Sequence, residues 1–199
     1  MSDLPRYLPL SQRPRHDESA VSGDWAPRLA VVLETLAAML EGQSADARLT
    51  VYAAHPAVRD DVARLLWRLR ANRRARLGAR LRRREPLSLS DDQAAVLRSI
   101  ARDGRRRALG DLAGAVVTTL DVASATQTPV ELDAVTLGAV AVARALSAPL
   151  PIRAVLATVT LVSAEGDWSV GRGAQQLAHG ADIVRFLYGR TGLPPVVTE

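Results

Sequence analysis

The chain has no cysteine and no lysine, a single asparagine (Asn72), a single phenylalanine (Phe186), and aromatic residues amount to only 4% of its 199 residues. Without cysteine there are no disulfides, no thiol chemistry and no thiolate metal sites, and the redox compartment is not readable from the sequence. The scarcity of aromatics leaves Ala, Val and Leu to build the core, which suits close helix packing through small side chains. The absence of lysine, with all 26 basic residues written as arginine, points to a GC-rich and bacterial coding genome. Arginine identity therefore carries little weight, whereas arginine clustering does, because codon bias does not gather charges into one segment. No apolar run approaches a membrane span, and the opening MSDLPRYLPLSQRPRHDESA lacks the apolar centre of a signal peptide. The expected compartment is the cytoplasm.

What is there is one basic block. Between Val62 and Arg84 stand ten arginines, Arg64, Arg68, Arg70, Arg73, Arg74, Arg76, Arg80, Arg82, Arg83 and Arg84, and no acidic residue. The whole chain carries only +5, so the remainder is acidic and the basicity is local. With 48% hydrophobic residues the chain is long enough for a sizeable core.

Periodicity predicts the elements. Residues 1–23, with Pro5, Pro9 and Pro14 among polar neighbours, read as a flexible lead, residues 24–193 as one α+β domain, and 194–199 as a tail. Leu29, Val32, Leu33, Leu36 and Leu40 define an amphipathic helix from Trp25 to Glu41, with Asp24 as its N-cap. The stretch 48–54 (RLTVYAA) alternates Leu49, Val51 and Ala53 against Thr50 and Tyr52, a strand pattern. A basic helix over 57–84 follows, anchored through Val62, Leu65, Leu66 and Leu69, while Arg73, Arg76 and Arg80 take over the same face further on.

Ser90 with Gln93 forms a capping-box signature for a helix from Asp91 to Asp103. A third stretch, about 108–120, lines up Leu109, Leu112, Val116 and Leu120, with Gly110 and Gly114 allowing a neighbouring backbone to approach closely. The polar stretch ASATQTP separates it from a helix over about 131–147 whose apolar line is Val135, Ala139, Val142 and Leu146. A hairpin near 152–173, turning at Glu165-Gly166-Asp167, and a helix over 181–188 with Ile183, Val184, Leu187 and Tyr188 as its apolar face complete a predominantly helical α+β fold with a small antiparallel β element.

Chemistry-bearing motifs are sparse. The histidines His16, His55 and His179 lack metal-motif spacing, and Asp60-Asp61 and Asp91-Asp92 sit near helix starts, where negative charge favours the macrodipole. Gly171-Arg172-Gly173 reads as a tight turn and not as a phosphate loop, and there is no G-x-S-x-G element. Residues 91–128 have the outline of a helix-turn-helix, yet 122–128 offers only Gln127 as a base-reading side chain, so ordinary helix packing is the better reading. The end of the chain, IRAVLATVTLVSAEGDWSVGRG followed by ADIVRFLYGR, resembles the C-terminal module of mycothiol-dependent maleylpyruvate isomerase-like proteins in its hairpin and its helix ending on Gly189-Arg190. The metal-binding histidines of that family's helical domain have no counterpart here, and neither metal nor activity is carried over.

The arginine block has the most specific physical reading. Its 23 residues span about 35 Å as a helix, so ten charges fall roughly one per 3.5 Å, close to the phosphate spacing of a DNA strand. In the second half the charges surround the helix, and only Trp67 is available for base stacking, which favours phosphate contact without sequence readout. The expected polyanion-binding residues are Arg70, Arg73, Arg74, Arg76, Arg80, Arg82, Arg83 and Arg84, extended by Arg105, Arg106 and Arg107. The sequence thus reads as a nonenzymatic binding protein, with no cofactor and no metal, whose first partner class is nucleic acid. The alternative is an assembly subunit whose basic helix fits an acidic surface of a partner or of a second protomer; a membrane is the least favoured partner.

Overall fold

The leucine and valine spacing of the first segment produces α1 (Ala26–Glu41), and Leu29, Val32, Leu33, Leu36 and Leu40 are all buried. The computed structural model describes residues 23–70 and 92–196. The expectations for most of the N-terminal lead, for the basic helix beyond Arg70, for Ser90 and Asp91 at the following helix start, for His16 and for the last residues of the tail lie outside the described residues. Within them the fold is α+β and mostly helical, with eight helices and one small three-stranded sheet.

Residues 45–54 form the helix α2 (Ala45–Ala54), where a strand was expected at 48–54. The Ser44 hydroxyl accepts from the Ala47 N–H at 3.1 Å and Asp46 lies in the first turn, so cap and dipole both favour a helix in this alanine-rich stretch. The alternating residues gain nothing from a strand: Leu49 is 67% exposed and only Tyr52 is buried. The Tyr52 hydroxyl donates to Gln93 Oε1 at 2.7 Å, tying α2 to the start of α4 (Gln93–Ala101). Between them α3 (Pro56–Arg70) buries Val62, Leu65, Leu66 and Leu69 as the stripe predicts.

The centre of the molecule is α5 (Leu109–Thr126), which contacts α1 and α3 and is buried on several faces from Asp111 to Ala123. It runs six residues past the expected end and absorbs the start of the polar connector. Thr118 and Thr119 sit inside it at little cost because their hydroxyls donate back to the carbonyls of Gly114 and Ala115, each at 2.9 Å.

Asp133 caps α6 (Ala134–Leu146) through the Thr136 N–H at 2.9 Å. The buried face of α6 differs from the expected line: Thr136, Leu137, Gly138, Val140 and Ala141 face inward, while Val135 is 60% and Leu146 83% exposed. Small residues decide this orientation. A Cβ on Gly138 would stand 2.9 Å from the Trp168 ring, so only glycine lets the indole lie against the helix.

Pro149 and Pro151 end α6 as expected, but they also open α7 (Leu150–Leu156), where the hairpin was expected to begin. The strands are β1 (Val159–Ser163), β2 (Ser169–Gly171) and β3 (Ala174–Ala178), in the order β2-β1-β3. The β1–β2 pair is the expected antiparallel hairpin; β3 adds a parallel partner on the other edge, which makes the sheet mixed. The link between β2 and β3 crosses the start of β1, where Gly171 and Gly173 hold φ of +109° and +144°. A Cβ at either glycine would fall 2.1 Å from a carbonyl oxygen of Val159 or Thr158. Finally α8 (Gly180–Leu187) packs on α6 and β1 with Ile183, Val184, Phe186 and Leu187 inward, and Tyr188 only partly buried.

Candidate polyanion-binding surface

The described half of the basic helix is largely neutralised by its own chain. Arg59 pairs with Asp60 at 3.0 Å, Arg64 with Asp61 at 2.7 Å, and Arg68 with the buried Asp111 at 2.9 Å. Gly110 makes the last pair possible, since a Cβ there would lie 2.8 Å from the Arg68 guanidinium. Where a neighbouring backbone was expected at Gly110 and Gly114, the described neighbours are side chains of α3, Arg68 and Leu65. Arg70 is exposed, and no ion pair is seen there among the described residues.

The loop 105–107 abuts this end of α3. Arg107, expected at the polyanion surface, is instead buried at 6% exposure, with its Nη1 donating to the Leu69 carbonyl at 3.0 Å and its Nη2 held by Asp103. Its backbone N–H donates to Asp24 Oδ1 at 2.9 Å and its carbonyl accepts from the Trp25 N–H at 3.0 Å. The backbone N–H groups of Arg107 and Ala26, the latter at 3.0 Å, with the nearby Arg106 charge, hold the Asp24 carboxyl below its usual range. Arg107 is thus a structural residue that holds the 103–107 segment against α3. Arg105 and Arg106 remain exposed, Arg105 with Asp103 at 3.9 Å. Of the three, Arg107 is the one the structure brings to α3, through the Leu69 carbonyl. Arg73, Arg74, Arg76, Arg80, Arg82, Arg83 and Arg84 lie outside the described residues.

The other candidate motifs resolve into structural parts. The helix-turn-helix outline fails because its second and third segments form one continuous helix, α5, with Val122 and Ala123 buried. Asp92 caps α4 by accepting from the Ala95 N–H at 3.0 Å. The Arg172 N–H in the glycine turn donates to the Leu156 carbonyl at 2.7 Å and is not turned to an anion. His55 ends α2, and His179 precedes α8 and pairs with Glu165. Among the described residues no group of side chains could hold a metal ion, and no single helix is long and apolar enough to cross a membrane.

Two polar clusters were not anticipated. Arg190 Nη2 stands 2.6 Å from Asp61 Oδ2 and 2.8 Å from Asp121 Oδ2, joining the end of α8 to α3 and α5. Burial pushes the Asp121 carboxyl above its usual range against the pull of Arg190, and the neighbouring Asp61 pushes the same way. One turn further along α5, Arg185 Nη2 donates to Ser124 Oγ at 3.0 Å, and its charge also favours the Asp121 carboxylate. The one signal for these in the sequence was the pair of aspartates, Asp111 and Asp121, inside an otherwise apolar helix.

No known protein family, curated protein or solved structure matches this chain. The C-terminal likeness noted from the sequence stays confined to the hairpin and helix that carry it.

Proposed function

We propose that this chain is a nonenzymatic, cytoplasmic binding protein that docks a polyanion, nucleic acid foremost, through phosphate contacts without strong sequence readout. The observation that carries the proposal is the contrast between the paired arginines of α3 and the run of arginines without acidic neighbours that follows in the sequence. Arg59, Arg64 and Arg68 are each paired with an aspartate of the same chain, whereas no acidic residue follows until Glu85. Arg70, Arg105 and Arg106 are exposed on the described body, Arg105 beside Asp103, and add to the arginines that follow in the sequence. Arginine forks suit bidentate phosphate contact, and each phosphate neutralised adds about 0.9 to the slope of log affinity against log salt.

The test is a titration of the whole chain with generic duplex DNA and with RNA at several salt concentrations. A variant with Arg70, Arg73, Arg74, Arg76, Arg80, Arg82, Arg83 and Arg84 changed to Gln runs beside it. Binding by the wild type that steepens at low salt and is lost in the variant supports the proposal; equal binding by both overturns it.

A second reading, an assembly subunit, draws on the exposed apolar line of Val135, Val142 and Leu146 on α6 with Leu150 beyond it. In that reading the basic element meets an acidic surface of a partner or second protomer. It is favoured if the arginine variant changes oligomeric state while nucleic-acid binding is absent in both proteins.

A further inference from the structure

Where the last turns of α5 meet α8, an open groove of about 360 Å³ has Leu120, Ala123 and Val130 along its apolar lining and Ser124, Gln127 and Arg185 among its polar groups. Two independent features converge on it. Arg185 is fixed in place by its Nη2 hydrogen bond to Ser124, and its buried Nε finds no acceptor among the described residues. Gln127, just past the end of α5, holds φ +52°, the one positive φ outside glycine among the described residues. That left-handed position normally favours glycine, and a side chain there costs about 1 kcal/mol. A glutamine kept in such a conformation beside a fixed guanidinium supplies an amide donor and acceptor at the groove.

We propose that this groove binds a small monocarboxylate with an apolar body, its carboxylate received by Arg185 and Gln127 and its body laid on Leu120, Ala123 and Val130. The planar guanidinium matches a planar carboxylate, and the volume falls in the range of small-molecule sites, roughly 300–1,000 Å³. Asp182 also lines the groove, and its negative charge selects against multiply charged anions such as phosphate. This site is separate from the polyanion surface and stands or falls without it.

The test is an NMR titration of the ¹⁵N-labelled whole chain with isovalerate and with benzoate, each against isoamylamine and inorganic phosphate. Saturable shifts of the Ser124 and Gln127 amides and the Arg185 Nε signal with the two carboxylates alone are expected. Affinity falls at least tenfold in Arg185→Gln, and Gln127→Gly binds more weakly while melting at a higher temperature. Absence of saturable shifts, equal response to phosphate or the amine, or undiminished binding by Arg185→Gln overturns the proposal. Because the four-probe comparison uses the wild type, it decides the matter even if a variant fails to fold.

Discussion

Trp168 shows how single residues set the packing of the C-terminal part. Its indole lies against Gly138 of α6, Gly166 of the β1–β2 turn and Gly180 of α8, each within about 3 Å of where a Cβ would stand. Gly138→Ala therefore forces the base of a rigid ring to move, and we expect a loss of about 2 kcal/mol, read by chemical denaturation, with an altered Trp168 near-ultraviolet signal. Glu165 and His179 act at the same scale. Burial pushes the Glu165 carboxyl up, but the Gly180 N–H at 2.9 Å and the His179 and Ser163 side chains outweigh it and hold the carboxyl low. Glu165 in turn raises His179. A lowered carboxyl stabilises above its unfolded value, and a raised imidazole stabilises below its unfolded value and loses that contribution as pH rises through the folded one. The melting-temperature difference between wild type and His179→Gln is expected to be larger near about pH 5.5 than near about pH 8.5, on either side of the histidine range.

At the scale of elements, legibility followed burial. Where a helix presents one wide apolar stripe to the core, as α1 and α3 do, spacing alone located both the element and its buried face. For α2, a period-2 pattern without burial misled, because Ser44 and the alanines set the local conformation while the tertiary core takes up only Tyr52. In α6 the longer side chains suggested one face, but the close approach of Trp168 selects the face bearing Gly138 and Ala141, a preference visible only once the partner is in place. Of the candidate surface, the clustering of arginines was plain in the sequence. The division between a structural Arg107 and its exposed neighbours was not, since it depends on the tertiary contacts of Arg107 with Leu69 and Asp103. Arg107→Gln leaves the Leu69 carbonyl without its donor and removes one of the partners of Asp103, so it is expected to cost about 2 kcal/mol, whereas Arg106→Gln changes stability by no more than about 0.5 kcal/mol, both by urea unfolding. For polyanion affinity the order reverses: loss of Arg106 is expected to lower the salt slope by about 1.

For the molecule as a whole, α5 gathers the helical body, and Arg190 ties the far end of the chain back onto it. Arg190→Gln leaves Asp61 and Asp121 together without their shared cation, with an expected loss of about 2 kcal/mol at neutral pH. A carboxyl already raised in the folded state stabilises that state when protonated and ceases to as pH rises through its folded value. The deficit of the variant is therefore expected to shrink as pH falls through that range, measured as the midpoint of denaturant unfolding. Arg190 and Asp61 are 129 residues apart in sequence, whereas the register of β1, β2 and β3 is completed within residues 159–178. Loop-closure entropy leads us to expect that the local sheet closes early and that the Arg190 contact, closing one of the longest loops, forms after the folding barrier is crossed. Arg190→Gln is then expected to accelerate unfolding while leaving the refolding rate nearly unchanged, making this one guanidinium a brake on escape from the native state.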